Sequence, residues 1–446
     1  MPVSRYVLLN RDVRRILGAV LFAFALLTVL GQRANAQSDP ATDRNIAILQ
    51  KLVAGAPNAE LYYRLGDLYV QKGRQTGDIT YFNLSGEALR AALKLEPRLA
   101  PAHRHLAFVL YALHNFAGAT SESRAALELD PMDSYAYGVL GDAQLETGQY
   151  DQAAHTYSRM IALKPDFYSF SRRSGLEAIR GCDQEAISDL KHAIVIGMNG
   201  GEAREGIAWA QVMLAQDYFL MGKLDLASEQ GEAALKTFPG YHRALSILGQ
   251  VRAAQGRLGE AVELYRAAIA VIPLPEYAVA LSDVYAKMGR ANEAFEERKL
   301  IEFIARLNKI NRQLYNRVLV DYYADHDIEH NNAVNQAETE YEVRRDIYGE
   351  DALAWSLYRA AEPARALPHI EAAIRFGTTD ARLYFHAGMI CAALGRSDQA
   401  RRNLKHALSI NPHFQPILDD VAAREYATLN SGHPSQYAQE YANVQR

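Results

Sequence analysis

The apolar and small residues of this chain fall in short helical segments that end at regularly spaced prolines. Pro97, Pro131 and Pro165 lie thirty-four residues apart, and they close the segments ALKLEP, ALELDP and IALKP. The same interval separates Pro239 from Pro273. An interval of that length, repeated along a chain, is typical of helical hairpins stacked in an array. The pattern therefore predicts a repeat protein built from helices.

Within each interval, large and small residues alternate in a fixed order. When the closing proline is numbered 32, residues 134–165 place small Gly141 at position 8 and large Tyr157 at position 24. Two antiparallel helices approach closely only where side chains are small, and large side chains fill the gaps beside them. Gly148 at position 15 suits the turn between the helices, and Pro165 prevents the second helix from continuing. Each interval is therefore predicted to fold as one helical hairpin.

This pattern resembles the tetratricopeptide repeat (TPR). Five units match it closely and five more keep part of it. The close matches are residues 100–131, 134–165, 208–239, 242–273 and 381–412, and the partial ones are about 59–97, 168–197, 275–306, 311–346 and 350–377. The resemblance covers residues 59–412. It implies an all-α TPR solenoid, a right-handed superhelix of stacked antiparallel helix pairs.

The same pattern divides the chain into consecutive segments. We expect a signal peptide (1–36), a lead-in segment (37–58), an N-terminal array (59–197), a central array (198–306), a C-terminal array of degenerate and regular units (307–412), a capping helix (413–429) and a polar tail (430–446). The first unit carries extra residues around Gln75–Tyr81, which we expect to lie between its two helices. Residues 199–206 are predicted to be a spacer, and residues 302–307 to extend a longer helix.

The first 36 residues have the features of a secretory signal. Two arginines precede an unbroken apolar run from Ile16 to Leu30, and Ala34-Asn35-Ala36 follows as a small-x-small cleavage site. The alternative is an uncleaved anchor, but fifteen residues span only about 22 Å as a helix against a hydrocarbon core of about 30 Å. Export with cleavage after Ala36 predicts a periplasmic or secreted protein of the bacterial cell envelope. The chain would then touch a membrane only if the signal stays uncleaved.

The charge of the remaining chain argues against nucleic acid as a partner. The whole chain has a formal net charge of −4, and residues 1–36 carry +4, so their removal leaves −8. A protein that binds nucleic acid through phosphate contacts needs a basic surface instead. We therefore expect no nucleic-acid partner.

One short stretch could bind a metal. Asp325, His326, Asp327 and His330 lie together, and histidines four residues apart can share one face of a helix. A metal-handling or hydrolytic protein that uses residues 325–330 is therefore an alternative function. No HExxH motif is present, however, and the stretch falls where a turn between helices is expected. With no Walker loop, G-x-S-x-G or dinucleotide fingerprint either, we expect no metal, no cofactor and no catalytic residues.

The resemblance implies a binding surface rather than an active site. In TPR folds the first helix of each unit lines a concave groove through positions 2, 5, 9 and 12. Carried onto this chain, those positions give a partner-binding groove of Arg104, Phe108, Tyr111, Tyr135, Asp142, Leu145, Trp209, Gln216 and Phe219. Rings beside a few polar groups are typical of protein-binding surfaces. The alternative for each residue is that it packs against a neighbouring helix.

Together, the repeats and the signal predict an exported scaffold or adaptor that binds a protein or peptide in its groove. It would support the assembly of polysaccharide-export, pilus or secretion machinery. The same scaffold tethered by its uncleaved N-terminus is the remaining alternative.

Overall fold

The computed structural model describes residues 40–310 and 317–438, so the expected signal segment and the end of the polar tail lie outside it. In these two ranges the chain forms 22 helices and no β-strand. The helices are α1 (Pro40–Gly55), α2 (Ala59–Thr76), α3 (Ile79–Leu95), α4 (Ala100–Ala112), α5 (Phe116–Leu129), α6 (Ser134–Glu146), α7 (Tyr150–Leu163), α8 (Phe167–Ile179), α9 (Asp183–Gly200), α10 (Arg204–Leu220), α11 (Leu224–Thr237), α12 (His242–Ala254), α13 (Leu258–Val271), α14 (Pro275–Lys287), α15 (Ala291–Ile310), α16 (Arg317–Asp325), α17 (His330–Tyr341), α18 (Ile347–Arg359), α19 (Pro363–Ala373), α20 (Ala381–Ala393), α21 (Ser397–Ile410) and α22 (Asp419–Asn430).

The helices pack as ten consecutive antiparallel pairs, from α2 with α3 to α20 with α21. Most second helices also pack on the first helix of the next pair, and most first helices contact the first helix of the next pair. Helix α1 packs on α2 at one end of the array, and α22 packs on α21 at the other. The predicted all-α solenoid, a right-handed superhelix of helix pairs, is confirmed.

The small residues hold each pair together as the pattern predicted. A Cβ atom added at Gly141 would lie 2.3 Å from Cε1 of Tyr157, and one added at Gly388 would lie 2.6 Å from Cγ of Leu404. Several alanines at positions 20 and 27 are fully buried, namely Ala119, Ala126, Ala153, Ala227, Ala234, Ala261, Ala268, Ala400 and Ala407. No larger side chain fits at these contacts without moving a helix.

A glycine at position 15 closes the turn in four of the five closely matching units. Gly148, Gly222, Gly256 and Gly395 all have φ between +70° and +74°, a left-handed conformation that glycine adopts without a Cβ clash. The unit at residues 100–131 lacks this glycine, and His114 takes the same conformation with φ of +58°.

Two segments that were expected to interrupt the helices, residues 75–81 and 199–206, are largely helical. The extra residues around Gln75–Tyr81 do not form an insertion, because α2 continues to Thr76, α3 begins at Ile79, and Gly77 closes the turn with φ of +71°. The expected spacer 199–206 is mostly helical, since α9 reaches Gly200 and α10 begins at Arg204.

Successive turns of the superhelix touch one another. Cβ atoms added at the turn glycines Gly148, Gly181 and Gly222 would lie 2.4, 2.8 and 2.6 Å from the carbonyl oxygens of Arg345, Gly377 and Ile410. Hydrogen bonds cross the same boundary, from Ile347 N to Tyr150 Oη (2.7 Å, 197 residues apart) and from Asn411 Nδ2 to the Phe219 carbonyl (2.8 Å, 192 residues apart). The seam, defined as the contacts of residues 146–222 with residues 344–411, therefore joins one turn to the next.

The seam changes the predicted open groove into an enclosed lumen. Residues 411–418, which precede α22, close its C-terminal part, and α22 itself begins only at Asp419, later than expected. The Phe414 ring packs 5.5 Å from that of Phe385, and Gln415 Nε2 donates to Asp325 Oδ2 at 2.8 Å. None of the described helices is long and apolar enough to span a bilayer.

Candidate functional site: the lumen of the superhelix

The N-terminal part of the lumen contains a cavity of about 1330 Å³. This volume exceeds the range of about 300–1000 Å³ that is typical of small-molecule pockets. Its walls come mainly from α4, α6, α8, α10 and α12, the first helices of five consecutive pairs. Residues 73–83 and 272–276 form one side, and Arg317 and Arg344 line the side nearest the C-terminal units. The cavity is large enough for a segment of polypeptide.

Six of the nine predicted groove residues line this cavity, and their use by a partner stays a prediction. They are Phe108, Tyr111, Tyr135, Asp142, Leu145 and Trp209. All six are half-buried, so each presents part of its surface to the lumen.

The other three predicted residues are placed differently. Arg104 lies behind the lining, where its Nη1 donates to Asp133 Oδ2 at 3.2 Å and its guanidinium lies 5.5 Å from the Tyr135 ring centre. Gln216 is half-buried and lies outside the lining. The prediction for Phe219 is wrong, because its side chain is 2% exposed within the core.

The predicted positions on α10 depart from the face of that helix that lines the cavity. Beyond Trp209 the lining residue is Asp217 rather than Gln216, so the face runs one residue later than predicted. Trp209, Met213 and Asp217 lie on that face at i, i+4 and i+8, and all three line the cavity. Met213 and Asp217 were not among the predicted groove residues, although counting in steps of four from Trp209 would have found them.

An aromatic ladder covers one wall of the cavity. The Tyr135 ring lies 6.1 Å from the His105 ring and 6.3 Å from the Phe108 ring, which in turn lies 6.3 Å from the Phe82 ring. The Arg172 guanidinium lies 5.9 Å from the Tyr135 ring centre. Contacts of this kind hold the rings in fixed orientations, so the wall is a rigid apolar surface.

The polar groups beside the ladder are already paired. Arg172 Nε donates to both Asp142 oxygens at 3.0 and 2.9 Å, and Tyr157 Oη donates to Asp142 Oδ1 at 2.8 Å. Burial by itself would lower the pKa of Arg172, but the attraction of Asp142 outweighs it and the pKa is raised. Asp142 therefore holds α6 to α7 and α8, which leaves little of its charge for a partner.

Two side chains on the α10 face are unpaired. Among the described residues, the Trp209 side chain makes no hydrogen bond or ring contact, and the Asp217 carboxylate makes no hydrogen bond or ion pair. Burial, and next to it the charge of Asp183, raises the pKa of Asp217 to about 7. A carboxylate held in this way gains from any cation that enters the lumen.

The C-terminal part of the lumen is filled by charged side chains. His386 Nδ1 lies 2.8 Å from Asp351 Oδ1, both residues are 1% exposed, and the Trp355 ring stacks on the His386 ring at 4.1 Å. Arg382 Nη1 donates to Asp321 Oδ2 at 3.1 Å. Burial, with Asp325 and Asp351 nearby, raises the pKa of Asp321 to about 6 despite the attraction of Arg382.

The side chains of the cluster at residues 325–330 bond to separate partners. Asp325 accepts hydrogen bonds from Trp355 Nε1 and Gln415 Nε2, both at 2.8 Å, while His326 Nε2 lies 2.9 Å from Asp283. His330 lies at the start of α17 and bonds only to Asp327 Oδ1, at 2.9 Å. The side chains therefore point to different partners, and the described part of the chain holds no group of three or more His, Cys, Asp or Glu residues suited to a metal ion.

Comparison with known proteins gives the same repeat. The family described as "Tetratricopeptide repeat" matches residues 106–166, 212–278 and 381–414. Over 167 residues the chain is 29% identical to tetratricopeptide repeat protein 37 of Xenopus laevis, covering 36% of this chain and 10% of that protein. The match thus spans a tenth of the length of that curated relative.

Solved structures with a similar arrangement of helices share little sequence. PilW, described as a widely conserved type IV pilus biogenesis factor, is 17% identical, with 47% of this chain and 93% of that chain covered and a TM-score of 0.39. A thermophilic TPR protein of Thermus thermophilus, TTC0263, is 23% identical, with 45% and 99% covered and a TM-score of 0.37. The APC/C hetero-tetramer Cut9–Hcn1 is 11% identical, with 88% and 94% covered and a TM-score of 0.37.

These similarities concern the fold. With ten helix pairs stacked in sequence and the repeat family matching at three places along them, the chain is a solenoid of tetratricopeptide repeats.

Proposed function

We propose that this chain is an exported, non-enzymatic scaffold of the bacterial cell envelope that holds a peptide or a segment of a partner protein in its lumen. The observation that carries the proposal is the cavity of about 1330 Å³, walled by the first helices of five consecutive repeats. TPR solenoids bind protein or peptide partners, and here the inner faces of the first helices enclose the space that remains.

The chemistry of the wall supports a peptide as the occupant. Phe108, Tyr111, Tyr135 and Trp209 present partly exposed rings to one continuous space. Tyr and Trp are enriched in protein-binding surfaces because a large ring contributes contact area at a low cost in side-chain entropy. The polar groups Arg172 and Asp142 bond to each other, so the part of the wall formed by these rings favours apolar side chains.

Export is supported by the sequence of residues 1–36, with its arginine pair, apolar run and Ala34-Asn35-Ala36 site. An exported TPR scaffold would support the assembly of polysaccharide-export, pilus or secretion machinery. Mass spectrometry of the N-terminus tests the export step. A mature chain that begins at Gln37 supports cleavage, whereas an intact Met1 supports the tethered form.

Site-specific photocrosslinking tests the binding site. A benzophenone amino acid placed at Phe108 or Trp209 should crosslink a partner in intact cells, because both side chains face the cavity. The matched controls are Met132 and Leu226, which are 65% and 40% exposed and lie outside the cavity lining. Crosslinks from the controls but not from Phe108 and Trp209 would overturn the proposal.

A further inference from the structure

The charges around the cavity do not cancel evenly. The arginines that line it are Arg74, Arg172, Arg243, Arg317 and Arg344. Four of them face carboxylates: Arg172 bonds Asp142, Arg317 bonds Asp346 at 2.7 Å, Arg344 bonds Glu146, and Arg74 lies 3.7 Å from Glu205. The fifth, Arg243, is exposed to solvent. The cationic side of the lumen is therefore largely satisfied within the protein.

The carboxylates that line the cavity are less completely paired than the arginines. Asp142 and Glu205 are among those paired with arginine, but Asp217 and Glu276 bond to no other side chain in the described ranges. Arg243 is the cation whose charge acts on Glu276, whereas the charged neighbour that acts on Asp217 is another acid, Asp183. Burial comes first among the causes that raise the pKa of both Asp217 and Glu276. Within the part of the chain that the structure describes, Asp217 is thus the lining carboxylate with no compensating cation.

The position of Asp217 relates its charge to the apolar wall. Asp217 lies eight residues beyond Trp209 on the same face of α10, with Met213 between them. Eight residues of helix rise about 12 Å, and an extended peptide covers that distance in about three to four residues. A bound peptide that follows α10 can therefore place one side chain on Trp209 and another at Asp217.

We propose that the lumen binds an extended peptide in which an apolar side chain and a lysine or arginine lie about three to four residues apart. The apolar side chain packs on Trp209 and Met213, and the cation lies against the carboxylate of Asp217. This inference rests on the proposed function and names the chemistry of its occupant. Charge complementarity between the half-buried carboxylate of Asp217 and the partner's cation sets the specificity.

Three synthetic peptides test the charge rule. Each is a nine-residue peptide with blocked ends and has leucine at its third position. The seventh position is arginine, its neutral analogue citrulline, or glutamate, and all other positions are glycine or serine. Binding to the full chain is measured by calorimetry and by the fluorescence of Trp209, with Trp209→Phe used to subtract the signal of buried Trp355. A charge-assisted hydrogen bond predicts that the arginine peptide binds about tenfold more tightly than the citrulline peptide, and that the glutamate peptide binds most weakly.

Two charge-matched variants locate the effect. Asp217→Asn should equalise the arginine and citrulline peptides, while Glu263→Gln, which removes the same charge from a side chain 76% exposed outside the lining, should leave the tenfold preference unchanged. Equal binding of arginine and citrulline peptides with a clear Trp209 response would overturn the charge rule but leave the peptide-binding lumen standing. No binding of any peptide would overturn both.

Discussion

The N-terminal and C-terminal repeats share one helical pattern but fill the lumen in different ways. Gly141 against Tyr157 and Gly388 against Leu404 are the same small-to-large contact in the two parts. In the N-terminal units, however, the inner faces carry partly exposed rings around a cavity, whereas the C-terminal units bury Asp351 and His386 at 1% exposure. The residues that pair the helices are thus independent of those that decide whether the lumen is open.

The difference has a physical cause in the segment before α22. Residues 411–418 lie across the C-terminal inner faces, so the charges there are removed from water and need partners. Asp325, Asp351 and Asp321 find them in Trp355, His386 and Arg382. No segment within residues 40–310 and 317–438 covers the N-terminal inner faces in this way, and a partner's segment is proposed to occupy that space.

The largest effect should come from breaking a buried carboxylate–imidazole pair in the C-terminal part. Asp351→Ala leaves His386 buried without its carboxylate, and removing one member of a buried pair costs about 3–5 kcal/mol. We expect the free energy of unfolding in urea, followed by circular dichroism, to fall by that amount. Arg365→Ala, in a pair with both side chains about half exposed, should change it by less than about 1 kcal/mol. Equal losses of unfolding free energy in the two variants would contradict the assignment of Asp351 and His386 as a stabilising buried pair.

A smaller loss should follow from filling a contact within one helix pair. Gly141→Val introduces a Cβ atom 2.3 Å from the Tyr157 ring and should destabilise the chain by about 1–3 kcal/mol or more. Gly175 occupies the same repeat position, but a Cβ there meets nothing within 4 Å. Gly175→Ala should therefore stabilise its helix by about 0.5–1 kcal/mol. Urea midpoints measure both, and a loss in Gly175→Ala equal to that in Gly141→Val would count against nested packing.

The contribution of the seam to stability can be separated from the strain that any non-glycine residue causes at a positive φ. Gly222→Ala and Gly256→Ala both place a Cβ at a positive φ, which costs about 1–2 kcal/mol. Only the Cβ at position 222 meets the next turn, at 2.6 Å from the Ile410 carbonyl, so this variant should lose about 1–3 kcal/mol more. Thermal unfolding and hydrogen exchange of residues 405–415 measure the difference. Identical behaviour of the two variants would mean that the turns do not touch.

The smallest effect should be the contribution of Asp217 to the pH dependence of stability. Burial, with Asp183 beside it, raises the pKa of Asp217 to about 7, so the folded chain binds a proton that the unfolded chain releases. Its contribution to the free energy of unfolding therefore rises as the pH falls from about 7 towards 4. Asp217→Asn should flatten the stability profile between about pH 7.5 and pH 5.5, by less than about 1.4 kcal/mol per pH unit. Parallel profiles for the two proteins would contradict the raised pKa.

The contacts within each repeat were predictable because both partners lie inside one interval. Gly141 and Tyr157 are sixteen residues apart, so the thirty-four-residue pattern places them together. The rings Phe108, Tyr111 and Tyr135 were predicted to line the groove from the resemblance to the TPR family. Gln216 and Phe219 were misplaced because the lining of α10 follows steps of four residues from Trp209 to Met213 and Asp217.

The seam was not predictable from the pattern. It joins residues such as Asn411 and Phe219, 192 positions apart, whose meeting depends on small rotations summed over about six repeats. The spacing of residues in the sequence does not reveal the total of these small rotations. The enclosed lumen and the filling of its C-terminal part therefore emerge only at the level of the superhelix.

Chemical crosslinking across the seam tests the enclosed lumen most directly. The side-chain oxygens of Asp183 and Thr379 lie 2.7 Å apart, so cysteines at both positions, in a chain with Cys182→Ser, should react with a short bifunctional thiol reagent. We predict an intramolecular bridge in most molecules of the dilute protein. Cysteines at Asp183 and at Asp398, which is 76% exposed and outside the seam, should form none. A helical protein that forms no bridge between positions 183 and 379 would contradict the closed superhelix.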